Sequence, residues 1–450
     1  MAGFDEAQAY LNGLGIDKMK SLTPSLHRMQ AICEALNHPE LSIPTIHITG
    51  TNGKTSTARI ASALLAATGL TVGTYTSPHL ESVRERLALN GEAIGEDAFG
   101  EMFDHLRPYL TLVEGRLGEE LSYFEVLTAL YFLWAAEAPV DVSVVEVGLG
   151  GRWDATNVIP APVAVITNIG LDHTGLLGTD KVTVAKEKAG IIKPNSIVVT
   201  GERAGSVLGV IEDEAAAAGA TLSRFDKDYS VTENLVAVGG RYLSILTSVA
   251  RYEGLFLPLH GSHQGLNAAT ALESVARFLP AQDLEQDVVA EGFAHIVVPG
   301  RLETLGFPTP GAPSGDVDPY AAPENPSVVL DVAHNPDGMS ALVSSLLEAF
   351  AFERCVFVIG ILGDKDYEGM LRELARIPCH AILTEARTVR SVPPDELARA
   401  CERLGLSHEV IEGVPAAVSS ATQAAGPGDL VTITGSHYVV GEARGFLLDN

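Results

Sequence analysis

The chain has little of what a secreted, membrane-bound or nucleic-acid-binding protein relies on. Cysteine is scarce: Cys33, Cys355, Cys379 and Cys401 are the four in 450 residues, and none has the CxxC spacing of a thiolate metal site, which excludes a disulfide scaffold and points to reduced core thiols. Positive charge is short as well. Thirty Lys and Arg face 57 Asp and Glu, for a formal net charge of -27, which excludes bulk affinity for nucleic acid or an anionic membrane. Anionic substrates would have to be captured by local arginines and helix N-termini. No apolar run approaches the ~20 residues of a membrane span. The N-terminal "MAGFDEAQAYLNGLGIDKMK" is acidic and polar where a secretory signal needs a basic start and an apolar core, so a cytoplasmic location is expected.

What is present is an ordinary globular composition, 46% hydrophobic and 19% charged, in a chain long enough for two or three domains. Apolar runs such as "PTIHITG", "LTVGTYT", "VDVSVVEVG", "PVAVITNIG" and "SIVVTG" alternate with helix-like segments. Buried parallel strands read this way. Between about 225 and 260 the sequence is rich in β formers and glycine without a helical period, which predicts a small antiparallel appendage. The segment 306–326 carries six prolines, three glycines and no positive charge, and reads as a surface loop. The α/β rhythm then restarts with "SVVLDVAHNP", "RCVFVIGILGDKD", "HAILTEAR" and "DLVTITGSH". The expected fold is α/β: an N-terminal P-loop domain on a mostly parallel sheet with a β appendage, 1–297, and a C-terminal Rossmann-like α/β domain, 298–450.

"GTNGKTS" at 50–56 follows an apolar run and opens a helix pattern. Gly50 and Gly53 let backbone N–H groups of Thr51, Asn52 and their neighbours face an anion. Lys54 offers a point charge to phosphates, and Thr55 a hydroxyl to Mg2+. Glu146 lies inside the apolar "VVEVG", where a carboxylate needs either a structural partner or a cation. Other motifs are weaker alone. Asp172–His173 ends a strand, and a lone histidine is more often a turn or core residue than a ligand. "AKEKAGIIKP" reads as a salt-bridged surface helix, although Glu187 at i,i+1 cannot face either neighbouring lysine. Asp331 and His334 in "DVAHNP" suit a ribose and a phosphate, or a helix cap with a turn proline. Gln264 and Asn267 share a helix face, where an amide suits an adenine edge or an ordinary polar helix start.

Taken together, "GTNGKTST", "TSPHL" with "ERL", "SYFEVLTAL", "EVGLGGRWDATN", "NIGLDHTGLLG", "KEKAGIIKP", "HQGLNAA", "PGRLE", "DVAHNPDG", "LGDKD" and "GSHYVVGEAR" run from residue 46 to about 444. The set resembles the Mur ligase superfamily, and within it the folylpolyglutamate synthase/dihydrofolate synthase branch. The resemblance implies an ATP-dependent amide ligase acting on dihydropteroate or folate and L-glutamate through an acyl phosphate. It implies ATP and two Mg2+ as cofactors, and a monomer without nucleic-acid or membrane partners. It implies that Ser77 and Glu146 hold one Mg2+, with Thr55 sharing or replacing Ser77, and that Glu146 and His173 hold a second. Lys188 looks like the lysine carbamylated in this family, and Lys54 like the phosphate-loop lysine. Asn267 would meet adenine, Arg301 the phosphates, Asp331 the ribose and His334 the transferred phosphoryl group. The pterin would lie against Leu121, Ser122, Tyr123, Phe124 and Glu125, with Phe124 stacking, and near Trp153, Asp154 and Ala155, with Asp154 accepting ring N–H groups.

Three features depart from the family pattern: Lys54-Thr55-Ser56 where many members have Lys-Gly-Ser or Lys-Gly-Thr, Trp153 where Leu is common, and the proline-rich stretch. The rivals are another Mur-type amide ligase and a P-loop nucleotide switch. A peptidoglycan Mur ligase is disfavoured because only 49 residues precede Gly50, against the ~100 of a typical domain.

Overall fold

The computed structural model describes residues 3–15, 25–203, 205–280, 284–305 and 326–449. The loop expected over 306–326 lies outside the described residues save for its last proline. Packing divides the chain into two units. The first comprises 1–232, 244–255 and 266–296, and the second 233–243, 256–265 and 297–450.

The first unit is built on an eight-stranded sheet whose strands, in chain order, are β1 Thr45–Thr49, β2 Val72–Tyr75, β3 Leu87–Leu89, β4 Glu92–Ala93, β5 Val142–Glu146, β6 Val163–Ile166, β7 Ile197–Thr200 and β8 Thr221–Arg224. Their spatial order is β4-β3-β2-β5-β1-β6-β7-β8. From β2 to β8 every pairing is parallel, while β3 and β4 close one edge antiparallel. β1 and β5 are buried at every position, as expected for strands covered on both faces. From the central β1 the chain goes on to β2 on one side and later to β6 on the other. That reversal leaves a crevice at the carboxyl ends of β1, β5 and β6, where open α/β sheets bind ligands.

Helices cover the sheet. Tyr123–Glu137 is buried almost all round, from Val126 to Ala135 without a break. With Glu96–Leu117 and Phe4–Leu14 it forms a large apolar cluster.

Three further strands, β9 Ser230–Ala237, β10 Gly240–Leu246 and β11 Arg251–Leu257, form a sheet in the order β11-β10-β9. The residues between successive strands are too few for a parallel crossover, so the appendage is an antiparallel meander.

In the second unit the strands are β12 Glu303–Leu305, β13 Ser327–Leu330, β14 Arg354–Ile359, β15 Cys379–Leu383, β16 His408–Val410 and β17 Asp429–Thr434, in the order β12-β13-β17-β14-β15-β16. All pairings are parallel except β12 with β13. The helices Pro336–Ala349, Tyr367–Leu374 and Pro394–Leu404 pack Leu342, Leu346, Met370, Leu374 and Leu397 into the sheet core. All four cysteines are free thiols, and burial raises each thiol pKa. No helix among the described residues is long and apolar enough to cross a membrane.

Candidate functional site

The crevice is assembled from three strand ends. β1 runs into Gly50–Gly53, and the helix Lys54–Ala67 starts at once, with Gly53 as its N-cap at φ 80°. A side chain at Gly53 would be strained by that φ, and its Cβ would collide with Asn267 Oδ1. The glycine therefore lets Asn267 close on the loop, bringing together two residues 214 apart in sequence (267 − 53).

The loop is propped from behind by the end of β6. Thr51 N–H donates to Asn168 O at 3.0 Å, Asn52 N–H to Asn168 Oδ1 at 2.9 Å, and Thr167 Oγ1 to Asn52 O at 2.7 Å. Thr51 Oγ1 exchanges hydrogen bonds with Gly170, donating to its carbonyl at 3.1 Å and accepting from its N–H at 2.9 Å. Thr167, Asn168 and Gly170 carry no charge and no metal-ligand pattern, so sequence reasoning gave them no role. Their signal was position, at the end of a buried strand beside the loop.

Two lysines converge on this loop. Lys54 Nζ donates to the carbonyls of Gly50 at 3.1 Å and Thr51 at 3.2 Å. Lys188 Nζ donates to the same Gly50 carbonyl at 2.8 Å. The surface-helix reading of "AKEKAGIIKP" fails at Lys188. The residue ends the helix Lys181–Lys188 and is 4% exposed, pointing into the loop. Burial pushes its ammonium pKa down to about 7, Lys54 adds to the shift, and Asp172, Asp154 and Glu187 oppose it.

Glu146 ends β5 and is 1% exposed. Thr55 Oγ1 donates to its two oxygens at 3.0 and 3.1 Å, and Ser77 N–H donates to Oε2 at 3.1 Å. Thr55, Ser77 and Glu146 thus meet, Ser77 through its amide. Arg59, missed in the sequence, lies one helical turn beyond Thr55. Burial lowers its pKa, while the nearby charges of Glu85 and Glu146 raise it. Its spacing of four from Thr55 was the available signal.

His173 has φ 49° and caps the short helix Thr174–Leu177. Its N–H donates to Asp172 Oδ1 at 2.8 Å, and its Nε2 is 3.9 Å from Asp172 Oδ2. Among the described residues no three His, Cys, Asp or Glu side chains gather as a metal-sized group. The hard oxygens of Thr55 and Glu146, with Ser77 alongside, nevertheless fit the preference of Mg2+ for a few protein oxygens. Around them, Mg2+ would complete its shell with water and substrate phosphates.

On the other side of β5, Ser122 and Glu125 form a capping box at the start of the helix Tyr123–Glu137. Arg28 Nε donates to both Glu125 oxygens at 3.0 and 3.1 Å. Both residues therefore hold the helix start in place. Tyr123 lies under the Arg86 guanidinium, 5.5 Å from ring centroid to Cζ. Phe124 presses on Gly148, where a Cβ would overlap its ring. Trp153 is 51% exposed. Asp154 is buried and caps the turn Ala155–Val158. Its carboxylate accepts from Thr156 N–H at 3.0 Å, Thr156 Oγ1 at 2.5 Å and Leu149 N–H at 2.9 Å, with the Gly148 amide also bearing on it. Burial raises its pKa and these donors oppose that.

In the second unit, Asp331 follows β13 and accepts from Leu302 N–H and Ala333 N–H, both at 2.9 Å. Burial raises its pKa, and the charge of Arg301 counters it most. The helix cap is Asn335, not Asp331. His334 Nδ1 is 2.8 Å from Val332 O, to which it donates. The His334 ring lies 5.2 Å from that of His437, a second imidazole the sequence reading left without a role.

Residues 48–275 match the Mur ligase middle domain, and 320–437 match the Mur ligase glutamate ligase domain. A dihydrofolate synthase/folylpolyglutamate synthase of Mycobacterium tuberculosis is 38% identical over 94% of this chain and 90% of its own length. One from Bacillus subtilis is 31% identical over 98% of each. The solved M. tuberculosis folylpolyglutamate synthase complexed with ADP superposes with a TM-score of 0.88 at 37% identity, covering 98% of this chain and 97% of that one. Escherichia coli FolC in complex with DHPP and ADP gives 0.85 at 29% identity over 100% and 98%. Similar over nearly its whole length in sequence and in fold, the chain belongs to the Mur ligase family, in its folylpolyglutamate synthase/dihydrofolate synthase branch.

Proposed function

We propose that this chain uses ATP to join L-glutamate to the carboxylate of dihydropteroate, to the γ-carboxyl of folates, or to both. It is an ATP-dependent carboxylate–amine ligase that uses Mg2+. The observation that carries the reading is the phosphate loop with Thr55 on Glu146 and with Lys54 and Lys188 on one carbonyl. These groups gather charge of both signs where a nucleotide's phosphates would sit.

In the reaction, a substrate carboxylate oxygen bonds to the γ-phosphorus and the bond to the ADP oxygen breaks. The glutamate amine then attacks the acyl carbon, loses protons to water, and expels phosphate as the amide forms. The loop amides and Lys54 hold the phosphates, and Asn267 meets the adenine beside Gly53. Thr55, Ser77 and Glu146 would hold one Mg2+, and Glu146, His173 and Lys188 a second; bound there, the metal neutralises charge on the transferring phosphoryl group. From the family resemblance, Arg301 is assigned to phosphates, Asp331 to the ribose and His334 to the transferred group.

The depressed pKa of Lys188 supports carbamylation. A neutral amine attacks CO2, the N–C bond forms as a C–O π pair moves onto oxygen, one N–H proton leaves to water, and a carboxylate-like oxygen donor replaces the amine. The pterin lies against Leu121–Glu125, stacked on Phe124, and against Trp153–Ala155. Asp154, already holding amides of its own chain, shapes that wall. We assign 1–297 to nucleotide binding and 298–450 to the glutamate ligase domain, in a cytoplasmic monomer.

The acyl-phosphate step is tested with dihydropteroate and tetrahydrofolate whose acceptor carboxylates carry oxygen-18. One label should appear in the released phosphate for each compound that is a substrate. Turnover with unlabelled phosphate would contradict the mechanism.

A further inference from the structure

We propose that His47, in the strand leading into the phosphate loop, is a positioning residue for the pterin-side wall, acting through Thr156 on Asp154. The proposal rests on the placement of the pterin against Trp153–Ala155. His47 is fully buried in β1, and its Nε2 lies 2.8 Å from Thr156 Oγ1. That hydroxyl, also fully buried, donates its one proton to Asp154 Oδ1. Toward His47 it must therefore accept, which fixes the imidazole proton on Nε2.

His47 Nδ1 is then a buried lone pair, and among the described residues it has no hydrogen-bond partner. Such an orphan is unfavourable, and a Val or Ile would fill a central parallel strand without it. The benefit of the imidazole must come from its other nitrogen. Burial, helped by the charge of Lys193, holds the His47 pKa well below the usual range. The ring therefore stays neutral and the chain of donors keeps one direction.

That chain reaches the substrate side in two steps. Asp154, steered by Thr156, holds the Leu149 and Gly148 amides. Gly148 is the surface on which the Phe124 ring rests. One buried line of hydrogen bonds thus sets the positions of Phe124 and of Trp153–Ala155 from the strand that carries the phosphate loop. His47 and Thr156 stand behind that wall, so the effect of changing them should fall on the pterin substrate rather than on ATP.

The test is steady-state kinetics on the full-length enzyme. His47→Leu and Thr156→Val should raise KM for the pteroate or folate substrate roughly tenfold by mispositioning its pocket. KM for ATP should stay within about twofold. His47→Gln, which keeps a donor near the Nε2 position, and Thr156→Ser, which keeps the hydroxyl, should recover most of the loss. Thr156→Val and Thr156→Ser carry the test if His47→Leu does not fold. Trp153→Ala separates this proposal from the reading beneath it. If exposed Trp153 can be removed without raising KM for the pterin substrate, the pterin placement fails and the proposal with it. If Trp153→Ala raises that KM while Thr156→Val does not, or if both KM values rise together, the positioning role alone is overturned.

Discussion

Glu146→Gln should lower kcat on the order of a thousandfold, at the upper end of what removing one preorganised charge at a phosphoryl-transfer site costs. Glutamine keeps the size of the side chain and one carbonyl oxygen to accept from Thr55 Oγ1 or Ser77 N–H. The fold should therefore survive, with an unchanged circular dichroism spectrum. What is lost is a negative charge at a position 1% exposed, shared by the phosphate-loop hydroxyl and the Ser77 amide. The variant should also need more Mg2+ to reach its residual maximum, because a carboxylate binds the cation far better than an amide oxygen. Measuring kcat across a Mg2+ titration checks both effects. Activity within about threefold of the parent at ordinary Mg2+ would remove Glu146 from the metal site.

Lys188→Ala should lose ligase activity by about a hundredfold or more, and should regain part of it when acetate or formate is added. The small carboxylate would supply the oxygen that a carbamylated lysine presents. Full activity in the alanine variant, without need of rescue, would rule out the metal-balancing role.

The same residue also makes a stability prediction. An unfolded lysine keeps its proton up to its ordinary pKa of 10.5, whereas folded, unmodified Lys188 releases it at about 7. Between those values the unfolded state binds more protons, so the contribution of Lys188 to stability rises with pH through that window and levels off below about 7. In CO2-free buffer, the stability of the parent relative to Lys188→Ala should therefore increase from pH 7 toward 10. Chemical denaturation at several pH values reads this difference, and a flat or falling difference would contradict the buried, neutral amine.

The parallel core was legible because strands buried on both faces leave continuous apolar runs: "PTIHITG", "VDVSVVEVG" and "PVAVITNIG" became β1, β5 and β6. Glu146 was legible for the related reason that a carboxylate inside such a run needs an explanation. Short edge strands such as β4, with only Glu92–Ala93, carry too few residues for a period to appear.

The parts of the site that local patterns did not show depend on contacts that local sequence does not encode. Lys188 has the surroundings of a surface helix, and only the fold brings it to Gly50, 138 residues away. Arg28 and Glu125 are 97 residues apart, and their buried pairing gives Glu125 a helix-capping partner that substrate-pocket reasoning did not supply. His47 is one polar residue in an apolar strand, and only the fold places Thr156 beside its ring. The family motifs bridged part of this gap, since they linked "EKAGI" to a metal site that its local pattern would not have suggested.

The central claim is that the nucleotide site serves amide ligation rather than a nucleotide-driven switch. The most direct measurement is phosphate release from ATP by the purified protein, with the pteroate or folate substrate and L-glutamate added singly and together. Sustained release that appears only when both are present, matched mole for mole by the glutamylated product, is the predicted result. Release indifferent to glutamate with dihydropteroate, folate and tetrahydrofolate alike would contradict the account.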